Sequence, residues 1–214
     1  MNVVVAMAVF VLSHVAISRT QVKPLLIAKI GQRGYLALYS ILSVVLLAWV
    51  IGAVITAERI TIWPAPVWAY PFAVLVSLAG FILIGIGTVV PNPLSVSFRT
   101  AGFDPIRPGV IAWIRHPLIW GLSLWALAHV PANGEWPSLI LFAGSALFGG
   151  IGVLAIERRK KRQMGEGEWE KLTAGRGQWN RAALAGAVAG IMMWFVLLML
   201  HPVLFGVAPL DFII

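Results

Sequence analysis

The stretch Trp113-Ile114-Arg115-His116-Pro117-Leu118-Ile119-Trp120-Gly121 places a guanidinium and an imidazole directly before an apolar run. Proline is favoured in the first turn of a helix, where its missing N–H costs nothing, so Pro117 predicts a helix start. Ionisable groups are costly beside lipid and are usually retained there for function. The stretch therefore predicts one end of a membrane-spanning helix, with a candidate site at that end.

The composition around this stretch is that of a membrane protein. Of the 214 residues, 60% are hydrophobic and 11% are charged, whereas about a quarter are charged in a soluble domain. We therefore expect an all-α polytopic membrane protein rather than a soluble core. The chain has no cysteine, which excludes disulfides, thiolate metal sites and cysteine nucleophiles.

Apolar segments on both sides of the stretch predict six transmembrane helices in a single domain, residues 1–214. Their expected ranges are 2–18, 35–57, 69–90, 117–130, 138–156 and 182–200. The first is not interpreted as a secretory signal, because basic residues follow it instead of preceding it. The fourth is short for a span of ~20 residues, so it either begins earlier, near Gly109, or lies deep among its neighbours. Glycines in the third and sixth segments predict close helix packing.

The positions of the charges predict the orientation. Of the 16 lysines and arginines, four lie in the first connector, three in the third and eight in the basic segment 157–181, which is the fifth connector. Only Arg59 lies in the second connector. The positive-inside bias therefore predicts cytosolic odd-numbered connectors and both termini outside. This topology and attraction to anionic headgroups explain the net charge of +8, and we expect no nucleic-acid binding.

Four histidines are candidates for chemistry: His14, His116, His129 and His201. His116 and His129 are separated by 13 residues, ~20 Å along a helix, and cannot share one metal ion. The pairs expected at equal depth are His14 with His116, and His129 with His201. Two imidazoles on different helices can hold a haem iron from both faces. Alternatively, His14 is a polar packing residue bonded to a carbonyl or a serine.

Three further residues are candidates for ligand binding. The planar fork of Arg115 suits a carboxylate, a phosphate or a haem propionate, although the positive-inside bias alone also accounts for an arginine here. Asn92, between two prolines, either offers its amide to a ligand or serves as a turn residue. Glu157 opens the segment 157–181, which is either a solvated surface or a lid over Arg115 and His116. In the second case, Glu157 pairs with a cation or a ligand hydroxyl.

The chain resembles the NnrU family of integral membrane proteins. The resemblance is carried by Ser13-His14, Asn92-Pro93-Leu94, the run from Arg115 to Gly121, the run from Trp125 to His129 with Asn133-Gly134, and the run from His201 to Gly206. It implies a protein of the bacterial inner membrane, associated with nitrite and nitric oxide reduction. A non-catalytic partner that supports assembly of a denitrification reductase is one function that it implies.

Two relatives of this family imply enzymatic functions. The family is similar to zeta-carotene isomerase, which uses haem b to isomerise a double bond in a lipid-soluble polyene. This resemblance implies haem b, with His14 and His116 as metal ligands and Arg115, Asn92 and Glu157 near the cofactor. The predicted role is then a haem-dependent isomerase or oxidoreductase acting on a lipid-soluble substrate.

The family is more distantly similar to the isoprenylcysteine carboxyl methyltransferases, which use S-adenosylmethionine. They share an Arg-His-Pro motif followed by a glutamate and an aromatic segment. Here that order is met by Arg115, His116, Pro117, Gly121, Glu157, Gly165 and Trp169. The chain departs from the pattern at Trp120, where a tyrosine is common nearby, and in the basic run after Glu157.

Overall fold

The computed structural model describes residues 2–20 and 22–213, and its regular structure is helical. The helices are α1 (Val3–Arg19), α2 (Val22–Ile55), α3 (Ala69–Val89), α4 (Pro117–His129), α5 (Trp136–Met164), α6 (Glu166–Thr173) and α7 (Arg181–Phe205). Short 3-10 helices cover Gly109–Ala112 and Pro209–Phe212. Within the described ranges there is no β-strand, only an isolated bridge between Thr61 and Glu135. The predicted all-α class is confirmed.

Four of these helices, α2, α3, α5 and α7, are long and apolar enough to cross a membrane. The predicted first and fourth spans correspond to α1 and α4, which have 17 and 13 residues. Both are shorter than the ~20 residues that a bilayer requires. The structure therefore supports an integral membrane protein, while the count of six spans and the orientation stay predictions.

Two connectors that the sequence predicted as breaks are partly helical. α2 begins at Val22, well before the predicted start at residue 35, and is interrupted where Gly31 has φ 73°. Glycine is the residue that adopts this left-handed conformation without strain. α5 continues past Ile156 to Met164, because lysine and arginine are good helix formers outside lipid as well.

The described chain forms two compact units, which are treated separately. The first unit comprises Met1–Pro64 and Asn133–Gly144. In it, α1 packs on α2 through a core of Val3, Ala6, Met7, Val50, Ala53 and Leu141. Backbone bonds from Ile62 N to Gly134 O (2.8 Å) and from Trp136 N to Ile60 O (2.9 Å) close its loops.

The second unit comprises Ala65–Ala132 and Ser145–Ile214, and α3 lies between α4 and α7 in it. The close approach depends on glycines. A Cβ at Gly80 would lie 2.8 Å from the Gly121 carbonyl oxygen, and one at Gly85 would lie 2.6 Å from the Gly190 nitrogen. The predicted packing role of the glycines is therefore confirmed.

A cap of connectors covers one end of α3 and α7 in the second unit. Its core joins the 91–112 connector, α6 and both helices through Ile86, Val90, Leu94, Val110, Ile111, Trp169 and Ala183. The start of α4, with Arg115 and His116, lies against this cap. The fold thus holds the predicted site stretch in a fixed backbone environment. The prediction of one domain is left open by this division into units.

Candidate functional site

Asn92 fixes the backbone of the site stretch. It is 2% exposed, and its backbone N–H donates to the Arg99 carbonyl at 2.8 Å. Its side-chain oxygen accepts from Leu94 N at 2.9 Å, and its amide nitrogen donates to the Arg115 carbonyl at 2.8 Å. Buried polar groups are stable only when bonded, so Asn92 ties the connector after α3 to the start of α4. Asn92 is a turn residue here, and its contact with a ligand stays a prediction.

His116 precedes α4 and is 2% exposed. Its carbonyl accepts the helical bond from Trp120 N at 2.9 Å, and Pro117 stands in the first turn, as predicted. The ring Nδ1 lies 2.8 Å from the hydroxyl oxygen of Ser95. The other ring nitrogen, Nε2, is buried and has no hydrogen-bond partner among residues 2–20 and 22–213.

The environment keeps the His116 ring neutral. Burial lowers its pKa below 6.5, the nearby Glu157 carboxylate opposes this, and Arg115 and Lys160 lower it further. At pH 7 the ring is therefore neutral and carries one proton, on either Nδ1 or Nε2 depending on the tautomer. When Nδ1–H donates to Ser95, Nε2 presents a lone pair, the form in which histidine binds metals.

Arg115 and Glu157 form an ion pair between the start of α4 and the end of the apolar part of α5. Both side chains are partly exposed. The guanidinium also lies over the ring of Trp169, 6.0 Å from its centroid, and Trp169 is buried in the cap. The structure therefore brings Arg115, Glu157 and Trp169 together.

Lys160 strengthens the same junction. One turn after Glu157 on α5, its ammonium donates to the Pro93 carbonyl at 2.7 Å. Sequence reasoning overlooked this residue and Ser95. The spacing of Glu157 and Lys160, which places them on one face of a helix, was a usable signal for Lys160. Ser95 gave none, because its contact with His116 depends on the path of a connector.

The second unit contains a cleft of about 520 Å³, a size typical of small-molecule sites. Arg115, His116 and Glu157 are its charged and titratable groups. The remaining lining consists of apolar and aromatic residues: Leu83, Trp113, Ile114, Trp120, Leu124, Val153 and Leu154. The arrangement can bind a ligand with one polar end and an apolar body.

His14 lies in the first unit, outside this group. Its Nδ1 is 2.6 Å from the Phe10 carbonyl oxygen, and its Nε2 is 3.0 Å from the hydroxyl oxygen of Ser43. These are the carbonyl and serine contacts of the packing alternative. Iron ligation through Nε2 would require exchange of the Ser43 contact. The pairing of His14 with His116 stays a prediction.

His129 and His201 both belong to the second unit and interact electrostatically. Their Nδ1 atoms lie 2.7 Å from the Trp125 carbonyl oxygen and 2.8 Å from the Val207 carbonyl oxygen. Their predicted equal depth in the membrane stays a prediction. Within residues 2–20 and 22–213, no cluster of three or more histidine, aspartate or glutamate side chains is arranged around a metal position.

The family relationship can be tested over the full length. The family model described as NnrU protein matches residues 2–209, nearly the whole chain. This match confirms the resemblance carried by the sequence motifs. No curated protein and no solved structure matches the chain.

Proposed function

We propose that this chain, which belongs to the NnrU protein family, is a haem-b-binding membrane protein. Its substrate would be lipid-soluble. The observation that carries the proposal is the buried, unbonded Nε2 of His116. In the six-span arrangement, this atom lies at the cytosolic edge of the bilayer. The resemblance to zeta-carotene isomerase supports an isomerase or redox role.

The residues present would suit haem binding through His116. Metal-ligating histidines have their second ring nitrogen fixed by a hydrogen bond, which sets the tautomer and the ring orientation. Ser95 supplies that bond to His116. An unbonded buried nitrogen costs about 1–3 kcal/mol, and a ligand bound at Nε2 would remove that cost. His14 is the second proposed ligand.

When bound, haem supplies Lewis-acid or one-electron chemistry. The protein's own groups set the conditions around it. The aromatic and aliphatic walls, with Trp113 and Trp120, suit an apolar substrate. Asn92 and Ser95 hold the backbone of Arg115 and the ring of His116 in place. Association with denitrification proteins belongs to the same proposal, because the family is linked to nitrite and nitric oxide reduction.

The experiment is an absorption spectrum of protein purified from haem-supplemented membranes. We expect a Soret band and a reduced pyridine adduct that reports haem b. His116→Ala should remove the band, and added imidazole should restore part of it. His201→Ala, a matched histidine change away from the cleft, should leave it intact. A colourless, folded wild-type protein would overturn the proposal, and an unchanged band in His14→Ala would remove His14 from the ligand set.

A second function, S-adenosylmethionine-dependent methyl transfer, is favoured by a different observation. The structure brings Glu157 and Trp169 to Arg115, in the order of the methyltransferase motif. A carboxylate can accept ribose hydroxyls or pair with the amino group of the cofactor. S-adenosylmethionine should then raise the melting temperature of the wild type but not of Glu157→Gln. Equal shifts in both proteins, or none, would exclude this function.

A further inference from the structure

We propose that the cleft binds a single-chain lipid carboxylate, whose headgroup replaces Glu157 on Arg115 while its chain lies along the apolar walls. This inference rests on the proposed action on a lipid-soluble substrate and specifies the class of that substrate. It uses different atoms from the haem proposal. Iron would take the buried Nε2 of His116, whereas the carboxylate takes the partly exposed guanidinium of Arg115.

The cleft is open to the apolar surface of α4 and α5. Trp120 on α4 and Leu154 on α5 line the cleft and are also exposed, at 41% and 54%. Leu147, Ile151 and Leu154 recur on one face of α5, and all three are exposed. An exposed apolar face on a helix that is long enough to span is a lipid-facing surface. One wall of the cleft is thus continuous with that surface, so that a lipid chain can enter sideways.

The cleft is polar at one end and apolar along the rest of its length. Its charged and titratable lining groups, Arg115, His116 and Glu157, come from the start of α4 and from the last apolar turn of α5. Leu124 and Val153 lie deeper along the same two helices. A ligand that satisfies both regions has one polar group at the end of an apolar chain.

The contacts of Arg115 indicate that the headgroup is a carboxylate. Arg115 already binds a carboxylate, that of Glu157, while the indole of Trp169 lies against its guanidinium. A guanidinium can hold a carboxylate through two parallel hydrogen bonds. An incoming carboxylate reproduces the contact that Glu157 makes, and the released Glu157 is close enough to the cleft mouth to be hydrated. Glu157 therefore acts as an internal competitor for the lipid headgroup.

The test uses native mass spectrometry of the detergent-purified protein. It compares three ligands that share one hydrocarbon chain and differ in their headgroup. The ligands are oleic acid, oleyl alcohol and oleyl phosphate. We expect one oleic acid per chain, retained about tenfold better than the alcohol, which lacks the charge-assisted bonds. Equal retention of acid and alcohol would overturn the proposal. Tighter retention of the phosphate would overturn the carboxylate assignment.

Two variants give opposite signs, so loss of folding cannot imitate the expected result. Arg115→Gln should lower oleic acid retention about tenfold, and Glu157→Gln should raise it, because the competitor is gone. Arg59→Gln is the matched control, since Arg59 pairs with Glu135 at 3.6 Å in the first unit and does not line the cleft. Weaker retention in Glu157→Gln, or an equal loss in Arg59→Gln, would contradict the exchange.

The position of the bound hydrocarbon chain is tested by photolabelling with a diazirine-bearing stearic acid, followed by peptide mapping. Labels competed by oleic acid should fall near Trp120, Leu124 and Val153. Labels confined to the exposed face at Leu147 and Ile151 would mean annular lipid only and would overturn the cleft. The outcome is independent of the haem experiment. A colourless protein that binds oleic acid would contradict the haem proposal alone. A haem-containing protein that does not bind oleic acid would contradict this inference alone.

Discussion

Two apolar helices, α2 in the first unit and α3 in the second, are almost equally hydrophobic but are packed very differently. Within the most apolar window of each, 11% of α2 and 39% of α3 is buried. The difference follows the glycines. Gly80, Gly85 and Gly87 let α3 touch the backbones of its neighbours, while a Cβ at Gly52 of α2 would meet nothing within 4 Å. Hydropathy thus selects helices that span, and small residues select the helix at the centre.

The two units also treat their histidines differently. In the first unit, both ring nitrogens of His14 have hydrogen-bond partners. In the second unit, His116 has Ser95 on Nδ1 and an unbonded Nε2. Among residues 2–20 and 22–213, the two buried side-chain polar atoms without a hydrogen-bond partner, His116 Nε2 and Ser123 Oγ, both lie in the tightly packed unit. A rigid surrounding structure can maintain such a costly group.

The largest expected effect comes from adding a methyl group at the helix crossing. In Gly85→Ala the new Cβ would meet the backbone of α7 at Gly186 and Gly190, and the helices would have to separate. We expect a loss of roughly 3 kcal/mol in the free energy of unfolding, measured by SDS titration in mixed micelles. Gly52→Ala is the matched control and should leave it unchanged or raise it by up to about 1 kcal/mol, because alanine is the better helix former. Similar losses in both variants would remove the packing difference between the two units.

The second effect concerns the serine beside each histidine. Ser95→Ala leaves the buried ring of His116 without a hydrogen bond on either nitrogen, at a cost of roughly 2 kcal/mol. Ser43→Ala leaves His14 its bond to the Phe10 carbonyl and should cost about 1 kcal/mol. The same titration measures both. A larger loss in Ser43→Ala would reverse the contrast between the two histidines.

The difference in packing between α2 and α3 was partly predictable from the sequence. The apolar run predicted as residues 69–90 is α3, Ala69–Val89, because hydropathy and the breakers after it act locally. The glycine spacing also predicted close packing. Helix ends in the connectors were missed at α2 and α5, since a charge leaving the bilayer does not by itself end a helix.

The candidate site was predictable in its charged members but not in its supports. Arg115, His116 and Glu157 stand out as charged or titratable residues at the ends of apolar runs, and the structure places them on one cleft. The bonds from Ser95 to His116 and from Lys160 to the Pro93 carbonyl join elements 21 and 67 residues apart. Such contacts depend on the tertiary path of the 91–112 connector, which no local pattern encodes.

The smallest expected effect is a pH dependence of stability that originates at His116. Because burial lowers the pKa of His116 in the folded protein, the unfolded chain, with a pKa of about 6.5, takes up the proton first. Stability should therefore be constant above about pH 7 and fall as the pH drops below 6.5, until the folded state is protonated as well. The slope is at most about 1.4 kcal/mol per pH unit for one group. Arg115 and Lys160 lower the pKa of folded His116 and so extend the decline to lower pH, while Glu157 opposes them. Glu157→Gln should therefore extend the decline further, and His116→Gln should flatten it. An unchanged slope in His116→Gln would assign the effect to other titratable groups.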